Sequence, residues 1–415
     1  MKATQGRKAM AAALDGVRVL DLSQGAAGPV CAMILGDLGA DVVKVEPPEG
    51  DWGRGLGPPF VDGVAAAFLG MNRNKRSLVV DLKKPGGCEA VLRLAGSCDV
   101  LVESFRPGVM ERLGLGYEEL RKRNPRLIYA SISAFGRFGP WRDRPGVDGL
   151  VQAMSGLMSV TGTPDGPPVK VGVPAADMTG GFLAALAVLA ALLARERTGE
   201  GQRVDVSLLD GLLAFQMVPL AMFLASGQSP GRQGSAAPYA APNEAFATRD
   251  GHVMVAAYTP ARWRRLCEVL GVAELADDPR FDTNAKRVRN RQALRETLEP
   301  LFRKRTTAEW VRMLEEADIV CGPLLEYPEL VSHEHVAGAG MVLSLRHPTL
   351  GSLRVIGSPL RFSATPTRVR RPPPLAGEHS REILEEAGLS PQEIRELIAA
   401  GAVIDRPAPA APEEG

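Results

Sequence analysis

The chain has 415 residues, of which 45% are hydrophobic and 23% are charged. This length exceeds what a single hydrophobic core usually supports, so the sequence predicts two domains of ordinary globular composition. Its 49 basic and 48 acidic side chains leave a formal net charge of +1, which excludes a global field that would attract nucleic acid or an anionic membrane. We therefore expect neither nucleic acid nor a membrane among its partners, and an anionic ligand has to be bound by local clusters of cations.

The first predicted elements are a strand, a helix and a second strand. The apolar segments VRVLDL, from Val17, and DVVKVE, from Asp41, enclose the helical segment PVCAMILGDLGA, and together they have the length of a βαβ unit. The alternation of strands and helices continues through three more apolar segments, SLVVDL, DVLVES and RLIYASIS. A mostly parallel sheet with helices on both faces is therefore predicted.

The middle of the chain predicts helices and then a change of composition. A long helix begins near Asp177, and its apolar run, residues 182–194, is shorter than the roughly 18 to 20 residues that span a membrane, so we expect a buried helix. The segment GQSPGRQGSAAPYAAPNE is typical of a linker. Beyond it, EAFATRDGHVMVAAY predicts a strand pair with a turn at residues 249–251, followed by charged helices, which indicates a smaller α+β domain.

The cysteines and histidines exclude several kinds of site. The five cysteines are scattered without a C-x-x-C pair, and the five histidines lack the H-x-x-x-H and H-E-x-x-H spacings. This pattern argues against a disulfide framework and against a bound metal. Unpaired thiols suit a reducing compartment, so we expect a cytoplasmic location.

Two basic clusters beside predicted strands are candidates for binding phosphate groups. Arg73, Lys75 and Arg76 come just before the strand SLVVDL, and Arg106 and Arg112 follow the strand DVLVES. A solvated surface explains either run by charge alone, but open α/β sheets bind ligands at strand ends, which favours the phosphate interpretation. The turn DLSQGAAGP lacks the G-x-G-x-x-G spacing of a dinucleotide site, so a dehydrogenase or other nucleotide-binding protein is the weaker alternative.

Asp177 stands in GVPAADMTGG at the start of the long predicted helix. The simplest interpretation is a helix N-cap, whose side-chain oxygen accepts hydrogen bonds from first-turn amides. A nucleophile is the alternative, because Pro174 stiffens the approach while Gly180 and Gly181 open the first turn, so that their amides become candidate oxyanion donors. A helix N-terminus also keeps a carboxylate ionised and nucleophilic. No G-x-S-x-G segment supports a serine hydrolase.

Six ordered blocks of the sequence resemble the class III CoA-transferases. They are VRVLDLSQGAAGPVCAMILGDLGADVVKVEPPEGD, NRNKRSLVVDLKKPGG, VESFRPGVMERLGLGYEEL, GLMSVTGTPDGPPVKVGVPAADMTGG, RTGEGQRVDVSLLD and PPPLAGEHSREIL. The resemblance covers residues 14–384. It implies an α/β fold in which a Rossmann-like large domain, built from both chain ends, carries a smaller inserted α+β domain, and it implies an interlocked homodimer.

These implications divide the chain into segments. We expect a flexible tail at 1–13, the first part of the large CoA-binding domain at 14–225, a linker at 226–243, the small α+β domain at 244–330, a return to the large domain at 331–405, and a disordered tail at 406–415. The resemblance implies that Asp177 attacks the thioester of an acyl-CoA as the covalent nucleophile. No permanently bound cofactor is implied, because coenzyme A and its thioesters are substrates together with small carboxylic acids.

The resemblance also carries the coenzyme A contacts onto particular residues of this sequence. They form four groups along the chain: Ala26 and Ala27; Asn72, Asn74, Lys75 and Arg76; Ser104, Phe105, Arg106 and Arg112; and Pro145, Gly146, Val147 and Asp148.

Departures from the family pattern bear on the reaction. The formyl-CoA branch has glutamine at Ala26, arginine at Pro47, tyrosine at Val147 and a glycine-rich flap, and their absence argues against formate or oxalate as substrates. The α-methylacyl-CoA racemases of the family pair the aspartate with a histidine, whose place Val147 occupies, so a two-base proton transfer lacks its partner. We expect CoA transfer from an acyl-CoA, with succinyl-CoA the candidate donor, and racemisation is the alternative.

Overall fold

The structure is a computed structural model, and it describes residues 12–406. These residues divide into two compact units: residues 12–155, 172–215 and 335–406 form the first, and residues 156–171 and 216–334 form the second. The first unit is thus built from both ends of the chain. Residues 156–171, 216–225 and 331–334, which were predicted within the large domain, belong to the second unit. The predicted tails at 1–11 and 407–415 lie outside the described residues.

Fourteen strands are present in the described chain. In chain order they are β1 (Arg18–Asp21), β2 (Asp41–Glu46), β3 (Phe60–Val61), β4 (Val64–Ala65), β5 (Lys75–Val80), β6 (Val100–Glu103), β7 (Ile128–Ser133), β8 (Arg203–Ser207), β9 (Asn243–Ala247), β10 (His252–Ala256), β11 (Val320–Pro323), β12 (Val342–His347), β13 (Gly351–Ile356) and β14 (Val403–Ile404).

The described chain also contains eighteen α-helices. They are α1 (Ala27–Asp37), α2 (Ala66–Met71), α3 (Pro85–Ser97), α4 (Val109–Arg112), α5 (Tyr117–Arg123), α6 (Asp148–Met154), α7 (Leu157–Val160), α8 (Ala175–Thr198), α9 (Leu208–Phe215), α10 (Met217–Ser226), α11 (Pro260–Leu270), α12 (Asn284–Arg289), α13 (Arg291–Phe302), α14 (Thr307–Glu316), α15 (Tyr327–Ser332), α16 (Glu334–Gly338), α17 (Ser380–Glu386) and α18 (Pro391–Ala399).

The first unit contains a seven-stranded sheet with the order β14–β5–β2–β1–β6–β7–β8. Neighbouring strands are parallel except for β14, which pairs antiparallel with β5 at one edge. Strands β5 and β6 are buried along their whole length, as expected for parallel strands covered on both faces. The predicted mixed α/β fold with a mostly parallel sheet is confirmed.

Both chain ends contribute to the core on one face of this sheet. Leu20, Leu78 and Leu101 of the central strands pack there against Ile383 and Ile394 from the C-terminal helices α17 and α18. Removing that much apolar surface from water is the main stabilising term for the arrangement. The C-terminal segment is therefore part of the sheet's own core.

Helices α1 and α8 cover the opposite face of the sheet, and small residues let them approach closely. A methyl group added at Gly181 of α8 would lie 2.7 Å from the carbonyl oxygen of Ala27 and 3.0 Å from Val30. At Gly180, the corresponding group would clash with the side chain of Leu208. The glycines of this helix therefore set how near its first turns lie to α1 and α9.

The apolarity of α8 is greater than the sequence analysis allowed for. The helix has 24 residues and, by length and composition alone, could cross a membrane. One face is buried against α1 and α9, while Phe182, Leu186 and Leu193 on another face are exposed. Core helices of soluble proteins can be equally long and apolar. The prediction of a buried helix therefore holds for one face of α8 only.

The second unit contains a three-stranded antiparallel sheet with the order β11–β10–β9. The predicted hairpin is present, with Val253 opposite Phe246 in its register. Helices α11, α13 and α14 pack on one face of this sheet around Trp263, Phe302 and Trp310. The second unit thus combines an antiparallel sheet with helices, which is the predicted α+β character.

Candidate active site

Loops that follow strands β6 and β7 enclose a cavity of about 300 Å³ at the carboxyl edge of the large sheet. The described residues that line it come from two segments far apart in the sequence: Ser104, Phe105, Arg106, Pro107, Ser133, Ala134, Arg142, Arg144, Pro145, Gly146, Val147 and Leu150. Parallel strands end at the same edge of a sheet, which is why these loops meet. Six residues that the sequence analysis assigned to coenzyme A contact are thus brought together.

Three arginines give this cavity a positive lining. Arg106 follows β6, whereas Arg142 and Arg144 lie on the exposed loop between β7 and α6. Guanidinium groups bind phosphate oxygens through paired N–H donors, so the lining suits an anionic ligand. The sequence analysis missed Arg142 and Arg144, although a loop with three arginines after a predicted parallel strand was the available signal.

A second cavity, of about 290 Å³, lies beside the first. It is bounded by residues after β1, β2 and β5, and its walls include Leu22, Val45, Val80 and Leu113. Phe105 lines both cavities. A flat apolar group and a chain of phosphates would each find a matching surface here on either side of one aromatic ring.

The backbone at Phe105 is held by a buried carboxyl group. Oε2 of Glu103 accepts a hydrogen bond from the amide of Phe105 at 2.8 Å. Glu103 is only 4% exposed, and burial raises its pKa to about 7, while a hydrogen bond from Ser131 opposes that rise. Neighbouring Ser104 receives the amide of Gln24 on its hydroxyl oxygen at 3.1 Å, so the turn after β1 is tied to the same strand end.

Ala26 and Ala27 lie where α1 begins. Ala26 is the N-cap position and has no capping side chain, while Ala27 is buried as the first helical residue. The turn before them is fixed by a buried ion pair, because Nζ of Lys44 lies 2.7 Å from Oδ2 of Asp51, whose Oδ1 accepts from the amide of Gly25 at 3.0 Å. The turn is therefore rigid.

Asp177 is the third residue of α8 and is not its N-cap. Pro174 holds the cap position without a side-chain hydrogen bond. The first-turn amide of Ala176 instead donates to Oδ1 of Asp148, at 2.8 Å, from the start of α6. Within residues 12–406, no hydrogen bond reaches the Asp177 carboxylate. The N-cap interpretation is therefore wrong.

Burial raises the pKa of Asp177 to about 6, and the negative charge of Asp148 adds to the rise. The sequence analysis expected the helix N-terminus to hold the carboxyl pKa low. The structure reverses that expectation, because loss of hydration and a like charge outweigh a helix-end contribution that is typically ~0.3–1 kcal/mol. At pH 7 the group is still mostly ionised, and it is a stronger base than an exposed aspartate.

Comparison with known proteins places this geometry in a family. A model described as CoA-transferase family III matches residues 14–380. The chain belongs to the CoA-transferase family III. The class of enzyme predicted from the six blocks is thereby confirmed.

Individual relatives agree with the family. The chain is 41% identical to a mouse protein named succinyl-CoA:glutarate CoA-transferase, over 90% of this chain and 86% of that one. It is also 41% identical to an acetyl-CoA:oxalate CoA-transferase of Acetobacter aceti, over 86% of this chain and 91% of that one. A crystal structure of a CAIB/BAIF family protein from Brucella suis has a TM-score of 0.81 and 37% identity, and covers 91% of this chain and 100% of that chain.

The segment from Asn72 to Arg76 does not join the candidate site of this family III chain. Nζ of Lys75 is fully buried and pairs with Asp21 at 2.9 Å, and Arg76 is 3% exposed and pairs with Asp41. Asn72 and Asn74 are buried and bonded within the protein. Asn72 to Asn74 precede β5, and Lys75 and Arg76 are its first two residues, so the segment lies at the amino edge of the sheet, opposite the edge where Arg106 follows β6. These side chains are paired within the protein, and their contact with coenzyme A stays a prediction.

Two further predicted groups are placed differently from the expectation. Gly180 and Gly181 lie inside α8, where amides donate to carbonyls four residues earlier, and close packing accounts for both glycines. Their role as oxyanion donors is not supported. Arg112 is exposed and lies against Gly108, and it does not line either of the two cavities among the residues that the structure describes.

Proposed function

We propose that this enzyme transfers coenzyme A from an acyl-CoA donor to a small free carboxylic acid by a ping-pong mechanism in which Asp177 is the nucleophile. The Asp177 carboxylate carries the proposal, because it accepts no hydrogen bond from the described residues. Asp177 lies in the first turn of α8, which is bonded to Asp148, the neighbour of cavity residue Val147. The Asp177 side chain is half-buried, and its raised pKa makes the carboxylate basic.

The first half-reaction consumes the donor. An oxygen of Asp177 attacks the thioester carbon, and the carbon–sulfur bond breaks. The CoA thiolate departs, and a mixed anhydride between Asp177 and the acyl group remains. The thiolate then attacks the side-chain carbonyl carbon of Asp177. The bond from that carbon to the bridging oxygen breaks, the donor acid departs as a carboxylate, and an aspartyl-CoA thioester remains.

The second half-reaction runs the same steps in reverse with a new acid. The acceptor carboxylate attacks the aspartyl thioester and displaces the CoA thiolate, which forms a second anhydride. The thiolate then attacks the acyl carbon of the acceptor, so that a new acyl-CoA leaves and the Asp177 carboxylate is restored. One thioester is broken and one is made, so neither ATP nor a metal ion enters the balance.

We place coenzyme A across the two cavities. Its phosphates would bind the side of Arg106, Arg142 and Arg144, and its adenine ring would bind the apolar walls beyond Phe105. Gly146 and Val147 then lead from the phosphate-binding cavity towards Asp148 and the start of α8. The thioester would be delivered at Asp177.

We propose succinyl-CoA as the donor and a dicarboxylic acid as the acceptor. The mouse relative, a succinyl-CoA:glutarate CoA-transferase, supports this choice. The Acetobacter relative carries the names acetyl-CoA and oxalate at equal identity, so oxalate belongs in any panel of acceptors even though the formyl-CoA pattern is absent here.

Racemisation is the second candidate function, and the position of Val147 counts against it. This residue is 66% exposed and lines the cavity. No histidine stands among the described residues that line the cavity, so the two-base proton transfer of a racemase has no second base there.

Acyl exchange in heavy water separates the two functions. The protein is incubated with a mixture of acyl-CoAs and free acids, including glutarate and oxalate, and the products are analysed by mass spectrometry. We expect new acyl-CoA species without deuterium, and we expect Asp177→Ala to abolish them while CoA affinity changes little. Deuterium at the α-carbon without exchange would contradict the proposal, as would equal loss of CoA binding in the variant.

A further inference from the structure

The backbone amides in the first turn of α8 need hydrogen-bond acceptors, and one of these acceptors is a side chain of another helix. An α-helix leaves its first amides without partners inside the helix. The amide of Ala175 donates to the carbonyl of Val173 at 2.8 Å, and that of Met178 donates to Pro174 at 2.9 Å. The amide of Ala176, which directly precedes Asp177, donates to the Asp148 carboxylate at 2.8 Å. The cap is thus supplied by another helix.

Asp148 is itself held in place. Its Oδ2 accepts a hydrogen bond from Nε2 of Gln152 at 2.8 Å, one turn further along α6. The same nitrogen, on a fully buried side chain, also donates to the carbonyl of Val173 at 3.2 Å. Two carboxylate oxygens and one amide therefore join the first turn of α6 to residues 173–176, the segment that leads into Asp177.

The charge of Asp148 acts on Asp177 from close by. The elements packed against α8 are α1, α6, α9, β7 and β8, and β7 has no charged residue. Their other charged residues lie elsewhere: Asp37 is paired with Arg73, Arg203 with Asp205, and Asp210 lies near Gly136. Among the residues that the structure describes, Asp148 is the charge that raises the pKa of Asp177.

We infer that Asp148 is a positioning residue for the nucleophile: it caps α8 in place of an ordinary N-cap, orients Asp177 and keeps a negative charge beside it. This inference rests on the proposed function, and it replaces the expectation that Asp148 contacts coenzyme A. A capping side chain leaves the carboxylate of Asp177 unused by its own helix. The two roles predict different kinetics, because a coenzyme A contact affects KM whereas a positioning residue affects kcat and its pH dependence.

The test compares Asp148→Asn, which keeps an oxygen acceptor but removes the charge, with Asp148→Ala, which removes both. Glu196→Gln is the matched control, because it removes an exposed carboxylate from the far end of the same helix. We expect the acid limb of kcat in Asp148→Asn to move to lower pH by roughly 0.5–1 unit. Asp148→Ala should lose about 10- to 100-fold in kcat with little change in KM, and Asp148→Asn should recover most of that loss.

A second measurement reads the same titration without turnover. Carbodiimide-promoted amidation of Asp177 requires the protonated carboxyl group, so its extent against pH, measured on the peptide by mass spectrometry, reports the protonation midpoint. The midpoint should fall in Asp148→Asn and stay in Glu196→Gln. If the wild-type protein fails to exchange acyl-CoAs, the proposed function is contradicted, but the amidation measurement still tests the inference about Asp148. An unmoved midpoint, or a defect confined to KM, overturns the inference.

Discussion

At the scale of single residues, the chemistry of Asp177 follows from a balance of two environments. The end of a helix favours a negative charge, whereas burial and Asp148 disfavour it, and their net effect is a pKa of about 6. A carboxylate with this pKa remains ionised at neutral pH but is more basic than an exposed one. Such tuning suits a nucleophile that must also leave as a carboxylate in the reverse step.

The first prediction concerns pH. Protonation removes the nucleophile, so kcat/KM for acyl-CoA should fall as the pH drops through about 6 and should level off above that value. Initial exchange rates between pH 5 and 8 test it, with the affinity for coenzyme A measured over the same range because the phosphate monoester of coenzyme A also titrates there. A rate that stays constant down to pH 5 would show that the Asp177 carboxyl group has an ordinary pKa or that another step limits turnover.

The second prediction concerns the arginines. Arg106 lines the phosphate-binding cavity and Arg112 does not, so Arg106→Ala should raise KM for acyl-CoA about tenfold at low salt, with a smaller effect as salt screens the phosphates. Arg112→Ala removes an exposed arginine six residues away and serves as the matched control. Equal effects of the two substitutions would contradict the assignment of the cavity to coenzyme A.

At the scale of helices and strands, local pattern predicted most of the first unit. The apolar segments at residues 17–22 and 41–46 became β1 and β2 around α1, and the segments SLVVDL, DVLVES and RLIYASIS contribute to β5, β6 and β7. The two-residue strand β14 was missed, because a segment so short carries no periodicity. Its pairing with β5 depends on the return of the C-terminus, which local pattern does not encode.

The candidate site was predicted unevenly for a similar reason. Ser104 to Arg106 and Pro145 to Val147 follow strands, and the structure gathers them in one cavity. Asn72 to Arg76 lie at the start of β5, at the opposite edge of the sheet, and charge alone could not separate buried ion pairs from phosphate ligands. The cap from Asp148 to α8 joins residues 28 positions apart, beyond the reach of helix-capping rules.

The third prediction belongs to the contact between α1 and α8. Gly181→Ala places a methyl group 2.7 Å from the backbone oxygen of Ala27, so it should destabilise the protein by roughly 1–3 kcal/mol and lower activity by moving the start of α8. Gly96→Ala in α3 is the control, since open space surrounds that position and alanine favours a helix. Denaturant unfolding measures both, and equal stability of the two variants would contradict the close packing.

At the scale of the whole molecule, the exposed apolar stripe of α8 indicates a binding surface for another molecule. Phe182, Leu186 and Leu193 are 56%, 63% and 58% exposed and lie on one face of the helix that carries Asp177. Large exposed apolar side chains that are aligned on one helix indicate a surface that binds another molecule. The resemblance to interlocked homodimers leads us to propose a second copy as the covering partner.

The fourth prediction tests that partner. Light scattering on the protein as it elutes from a size-exclusion column should give a mass of about twice the 44.2 kDa of one chain. Leu186→Glu should shift the measured mass towards that of one chain, because a buried unpaired charge destabilises an interface. Glu196→Gln, at an exposed position on the same helix, should leave the mass unchanged. A wild-type mass of one chain would contradict the proposed homodimer.

The fifth prediction goes directly to the central claim, that Asp177 forms a covalent intermediate. The protein is mixed with succinyl-CoA in the absence of an acceptor, quenched with hydroxylamine, digested and analysed by peptide mass spectrometry. Hydroxylamine converts an aspartyl thioester or anhydride to a hydroxamate, so we expect this modification on Asp177 alone, and only when the acyl-CoA is present. Modification of a different residue, or none in protein that exchanges acyl groups, would contradict the account.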